Sequence, residues 1–416
     1  MTAEPPTERR HDLDWLRVLA ILLLLYFHTG MIFVAEWGWH IKNPETSSLL
    51  LEVNYFLSRW RMALLFLISG VGTWYALRRR SAGEYSVERV KRLLAPVVFG
   101  MLVIVPPQIY LERVSGGAAY GSYLDFYPSV LELRPYPQGS LSYHHLWFVF
   151  YLFLYSLCAL PLFLWLDGER GRAWLRRANR VLRGGGLYVP ALPLGATLAA
   201  LVVRFPGPQD VVHDWASLLY YLLFFVFGYV LSSAGEVWNA VERQRRTSLT
   251  LAFLCMLAIS YLRWNGRTPE FEYSVANTLY YLLQGLNAWC WVLAILGFGK
   301  RHLNVRTHFL DYASEGIYPF YILHQTVIVV VGFYVVQVEE SILAKYLFVS
   351  TVSLLVSWGI YDLLVKPFPV VRFLFGMKPA RRRPESAALP ATGTLATGTP
   401  RLEAGAPGTL PGRPAA

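Results

Sequence analysis

DWLRVLAILLLLYFHTGMIFVA, residues 14–35, is the stretch that decides how this chain is organised. It is apolar over the roughly 20 residues needed to cross a bilayer, yet it carries two ionisable side chains, Arg17 and His28. An ionisable group at membrane depth is costly, so a functional role is its default explanation. Eleven residues at about 100° each make three turns plus roughly 20°, which puts both side chains on one helix face, about 16 Å apart along the axis. That face carries a cation near one membrane surface and an imidazole near mid-depth. The run is longer than the apolar core of a secretory signal and no small-x-small cleavage site follows, which predicts an uncleaved first span.

Composition agrees with a membrane protein. Of 416 residues, 55% are hydrophobic, 15% aromatic and only 16% charged, with mean hydropathy +0.37. A soluble protein carries about 25% charged residues. Repeated apolar runs predict an all-α fold, a polytopic integral membrane bundle of about ten transmembrane helices. They fall near 14–35, 58–77, 93–111, 145–166, 187–203, 215–232, 248–264, 274–298, 312–336 and 342–365. Pro96, Pro106 and Pro107 predict breaks in the third. Residues 1–13 form a short cytoplasmic N-terminus and 14–366 the membrane domain. Residues 367–416 form a tail that is first basic, then Ala/Pro/Gly/Thr-rich and expected to be disordered from Lys378 onward.

The net charge of +11 sits mainly in short segments between apolar runs. With the N-terminus inside, the clusters at Arg78–Arg80, Arg89–Arg92, Arg170–Arg183 and Arg243–Arg246 all fall inside, and the outer segments hold few cations. That asymmetry predicts an N-in, C-in multi-pass protein of the cell membrane, in contact with lipid. It also accounts for the basic residues without a nucleic-acid partner. Cys158, Cys255 and Cys290 lie within apolar runs and lack metal-like spacing, so they are expected as small buried hydrophobes, and no metal is expected.

Two clusters point to chemistry. Arg89, Lys91 and Arg92 stand at the mouth of the third span, level with Arg17. A polyanionic cytoplasmic donor such as acyl-CoA needs such cations for its phosphates, although positive-inside topology alone also explains them. His28 is the candidate reacting group, because a hydroxyl attacking a thioester needs a base near neutral pH; the alternative is a packing histidine. His145 and Trp147 at the start of the fourth span, and His324 inside the ninth, are further candidates for substrate contact or support. Asp14, one turn before Arg17, is placed to pair with it. A loop at 112–144 rich in tyrosine suits carbohydrate docking or an interfacial belt.

Taken in order, Arg17-x10-His28, FLISG at 66–70, Arg89-x-x-Arg92, HLWF at 145–148 and YPFYILH at 318–324 resemble the membrane acyltransferase-3 family over roughly residues 10–375. The segments around Arg17 and around His145 are most similar to the branch typified by glucan biosynthesis protein C. The resemblance implies an O-acyltransferase that moves an acyl group from cytoplasmic acyl-CoA to a hydroxyl on an extracytoplasmic acceptor, usually a glycan; acetyl or succinyl is the expected group, although the sequence does not itself identify the acyl chain. It implies essential roles for Arg17 and His28 and donor handling by Arg89 and Arg92. No acidic residue precedes His28, where Phe27 stands, so any partner of the imidazole comes from another span. The competing expectation is a transporter or translocator using Arg17 and His28 as an intramembrane relay. It predicts inverted repeats with interrupted helices, and the sequence has no clear internal repeat.

Overall fold

The computed structural model describes residues 9–207 and 210–379. Among these residues the chain is helical, and its one β-bridge joins Pro135 to Leu141. Among the described residues seven helices are long and apolar enough to cross a membrane, and up to ten if each of three bent pairs is one span. Each of the ten apolar runs read from the sequence lies on one of these helices or pairs. The expected tail from residue 380 lies outside the described residues. Residues 367–379 are folded onto the bundle: α15 (Pro369–Leu374) follows the last span, and Arg372, buried, binds Glu315 at 2.9 Å and the carbonyl of Lys378 at 2.9 Å.

The first helix, α1 (His11–Gly30), continues as a 3₁₀ turn to Phe33. Asp12 and Asp14 in its first turn complement the helix dipole. It packs against α12 (Val275–His302), α13 (His308–Val335) and α14 (Ile342–Val365). Ser274, Thr307 and Ser341 cap the N-termini of those three, each accepting a backbone N–H from the helix's first turn. α1 thus has partners over most of its length, and Leu16, Ile21, Leu24, Leu25 and His28 are all buried.

Two departures from sequence expectation bear on the site. First, residues 48–57, which lie outside the expected span at 58–77, belong to helix α2 (Ser48–Ser58), capped by Ser47. A break at Arg59–Trp60 leads into α3 (Arg61–Leu77), and Arg61 enters the bundle interior at only 3% exposure. Second, the prolines do not break the third span. Helix α4 (Ala82–Ser115) runs through, with wide π-turns at Val90–Leu94 and Gly100–Ile104. A wide turn removes the need for the amide hydrogen that proline lacks. The second turn also leaves the Ile104 carbonyl open, and the Thr326 hydroxyl donates to it at 2.6 Å.

Beyond these, α5 (Trp147–Cys158) and α6 (Leu160–Asp167) make a span bent by 44°. α7 (Glu169–Leu182) turns by 102° into the helical segment that contains α8 (Ala191–Leu201), and α9 (Trp215–Leu231) turns by 111° into α10 (Gly235–Arg243). The basic cluster at Arg170–Arg183 lies on α7 and its C-cap, Arg183; α7 is an amphipathic helix. α11 (Arg245–Trp264) packs on α12. Gly70 serves close packing: a Cβ there would lie 1.9 Å from the Phe225 carbonyl oxygen, and one on Gly228 2.0 Å from that of Leu67. The backbones of α3 and α9 touch there, and only glycine fits.

Candidate functional site

Two imidazoles from opposite ends of the sequence meet in the interior. His28 on α1 and His324 on α13 are both buried, their rings parallel within 10° and their Nδ1 and Nε2 atoms 3.0 Å apart. The hydrogen bonds fix the protons. His324 Nδ1 lies 2.6 Å from the carbonyl oxygen of Tyr321, which can only accept, so this nitrogen carries the hydrogen. In the neutral ring His324 Nε2 then holds a lone pair and accepts from His28 Nδ1–H. His28 Nε2 is left with its lone pair available. Carbonyl, His324 and His28 form a relay that sets the tautomer of the last member, the role a carboxylate plays for other catalytic histidines.

A loop closes over this pair. The Lys42 ammonium donates to the Met31 carbonyl at 2.9 Å and also to that of Val34, and Asn43 N donates to the Ile32 carbonyl at 3.0 Å. Burial pulls the Lys42 ammonium below its ordinary pKa. So pinned, the loop sets the Trp39 ring 5.1 Å from His28. From α2, Asn54 donates to the Phe27 carbonyl at 3.0 Å, and its amide fills the space a side chain at Gly30 would need.

A polar network backs the pair. Gln325 Nε2 donates to Gln108 Oε1 at 3.0 Å and meets His40 Nε2 at 3.2 Å; Gln108 Nε2 donates to the Thr326 hydroxyl at 2.7 Å and meets His145 Nδ1 at 3.4 Å. His145 Nε2 binds the Ile322 carbonyl at 2.9 Å, so it carries the hydrogen. His40 Nδ1 binds the Glu112 carboxylate, whose other oxygen accepts from Tyr136 at 2.5 Å. Burial and that bond to Glu112 push the Tyr136 hydroxyl up to about 12. Both nitrogens of His40 and of His145 are thereby engaged. His28, by contrast with His40 and His145, engages one ring nitrogen and leaves Nε2 without a protein partner among the described residues.

His40, Glu112 and His144 each offer a ligand atom within 4.8 Å of the others, a grouping suited to a divalent ion. Sequence spacing gave no sign of it, since the three come from a loop, α4 and the turn before α5. Each already has a protein partner, and His144 Nε2 is the buried nitrogen among them without one.

The basic end of α1 is built separately. Asp14 pairs with Arg17 at 2.8 Å, as expected, and also with Arg9 at 2.9 Å; the Arg17 side chain is 40% exposed. In the π-turn region of α4, Arg92 reaches the Gly376 carbonyl at 3.1 Å and Glu88 at 3.4 Å, Arg89 lies over the Tyr85 ring at 4.5 Å, and Lys91 is exposed. The structure therefore brings His28, His324 and His145 together and sets Arg17, Arg89, Lys91 and Arg92 apart from them. Trp147 belongs to neither group: it packs on Tyr151, Tyr221 and Phe66 at 5.3, 5.5 and 6.0 Å.

Sequence reasoning missed His40, Gln108, Glu112, Gln325 and Arg61. Arg61 had a signal, a cation at the head of the apolar run RMALLFLISG and within the span expected at 58–77. Its guanidinium sits 3.9 Å over the ring of Phe27, the neighbour of His28, and its Nε and Nη1 are buried without partners.

A family model for an acyltransferase domain matches residues 10–362. Glucans biosynthesis protein C from Escherichia coli strain SMS-3-5 is 24% identical over 396 residues, covering 91% of this chain and 97% of that protein. The protein of the same name from Escherichia coli strain K12 is 23% identical over the same shares. No solved structure matches the chain.

Proposed function

The chain belongs to the acyltransferase-domain family matched over residues 10–362, a multi-pass membrane O-acyltransferase, and from that premise we propose that it carries an acyl group from acyl-CoA to a hydroxyl of an extracytoplasmic glycan, with His28 as the base. The observation that carries the role of His28 is the relay from the Tyr321 carbonyl through His324, which leaves the lone pair of His28 Nε2 free.

The donor enters at the basic end. Arg17, Arg89, Lys91 and Arg92 bind the phosphates of CoA, with Asp14 holding Arg17. The alternation of basic and non-basic segments supports this end as cytoplasmic. The pantetheine arm follows the α1 face and carries the thioester over the axial offset of about 16 Å to His28. His28 Nε2 then takes the proton of the acceptor hydroxyl as its oxygen bonds to the thioester carbon. The carbon–sulfur bond breaks, and the proton passes from His28 to the CoA thiolate. No proton is left over, which suits an imidazole enclosed by Trp39 and the polar network. His324 and His145 are support residues: the first sets the tautomer, and the second holds the α13 backbone through Ile322.

The relatives' name refers to glucan biosynthesis, which supports a glycan acceptor. The acyl group is acetyl or succinyl. Mass spectrometry of cell-envelope glycans, with and without this protein, tests the acceptor. Acylated species that vanish with the protein are the expected result; an unchanged acylation pattern overturns the glycan assignment.

A further inference from the structure

We propose that Arg61 is a catalytic residue that stabilises the oxyanion formed on the thioester carbonyl beside His28. The inference rests on the acyl-transfer function proposed above and adds to it a residue that function did not use.

Three observations carry it. Arg61 is 3% exposed, at the first position of α3, inside a span-forming segment. Its Nε and Nη1 are buried with no hydrogen-bond partner, and among the described residues no carboxylate is paired with it. Its surroundings are instead neutral: the Phe27 ring at 3.9 Å, and His28, His324, Tyr221 and Tyr321 within electrostatic range. Arginine in a membrane interior is nearly always paired or facing a functional cavity. Among the described residues the other strongly buried Arg and Lys side chains have oxygen partners: Arg372 has Glu315, and Lys345 has Asn43. Arg61 alone among these keeps two donor nitrogens idle, over the ring of Phe27, the residue before the proposed base.

A buried, unpaired guanidinium fits a negative charge that comes and goes. The CoA phosphates are standing charges and belong at the Arg17 end, about 16 Å away along α1. The charge that develops near His28 is the carbonyl oxygen. As the acceptor oxygen bonds to the thioester carbon, the carbonyl π pair moves onto its oxygen while His28 Nε2 takes the hydroxyl proton. Arg61 donates to that oxyanion. When the pair returns, the carbon–sulfur bond breaks and the CoA thiolate receives the proton from His28. Donors preorganised in a water-poor site act mainly on this state, so they raise kcat and leave donor affinity nearly untouched.

The test is steady-state transfer from acetyl-CoA and from succinyl-CoA by purified, lipid-reconstituted protein, as wild type, Arg61→Met and Arg61→Lys. Arg61→Met is expected to lower kcat by about 10²–10³-fold, the usual loss for one oxyanion donor, with KM for acyl-CoA unchanged. Arg61→Lys keeps the charge without the fork and is expected to fall between. The thermal midpoint of Arg61→Met is expected to match or exceed wild type, because an unpaired buried charge is replaced by an apolar side chain. Unchanged kcat in Arg61→Met overturns the inference while leaving the acyltransferase intact. So does a rise in KM for succinyl-CoA alone, which makes Arg61 a receptor for a standing carboxylate. A wild-type protein inert toward both donors contradicts the acyl-CoA function itself, and the inference with it.

Discussion

Replacing His324 separates a tautomer-setting role from a packing role. In His324→Met the side chain keeps much of its volume but cannot accept the hydrogen of His28 Nδ1, now 3.0 Å from His324 Nε2. That hydrogen is buried and has no substitute among the described partners of His28. An orphaned buried donor costs about 1–3 kcal/mol, and the ring relieves it by moving the proton to Nε2, the nitrogen needed as base. At about 1.4 kcal/mol per decade, kcat falls by roughly 10–100-fold. His324→Gln carries an amide oxygen of similar reach. It restores the acceptor, so its kcat is expected within about tenfold of wild type. The assay is transfer of a labelled acyl group from acyl-CoA in membranes with matched protein levels, with KM for the donor read in parallel and expected to be unchanged. Equal losses in the two variants would refute the relay and make His324 a packing residue.

The donor end gives a different signature: Arg17→Ala, or Arg89→Ala with Arg92→Ala, is expected to raise KM for acyl-CoA by about 10–100-fold, one or two charge-assisted bonds' worth, and isothermal titration with CoA checks it. Tyr136 provides a pH test. Burial first and its bond to Glu112 second raise its folded pKa to about 12, above the ordinary tyrosine value, so the stability tied to the neutral hydroxyl is fully present below about pH 10 and is lost as pH rises through 12. The fall in thermal midpoint between those pH values is expected to be shallower in Tyr136→Phe, measured by differential scanning fluorimetry in detergent; identical slopes contradict the assignment.

The spans were legible because bilayer thickness imposes one length and one hydropathy on each of them. Arg17 and His28 were legible for a related reason: ionisable residues stand out against an apolar run. What joins them to the rest of the site was not. His28 and His324 are 296 positions apart, and His40 meets Glu112 across 72; helical periodicity carries no information across such separations. The sequence put His28's partner on another span without saying which, and only packing selects His324 over His145, since His145 turns its Nε2 to the Ile322 carbonyl. Arg61 was passed over because it begins a span, where a cation is ordinarily interfacial. Its burial follows from α2, a helix that reads as loop because Glu52 and Asn54 interrupt its apolar run. The prolines of α4 misled in the opposite direction, since wide turns and the Thr326 hydroxyl absorb the missing amides.

The central claim is that His28 Nε2 is the base for acyl transfer. The direct measurement is acyl transfer from acyl-CoA in membranes holding equal amounts of wild-type and His28→Ala protein. Loss of a positioned base is predicted to lower the rate by about 10²–10⁴-fold. Transfer at a rate near wild type in His28→Ala would contradict it.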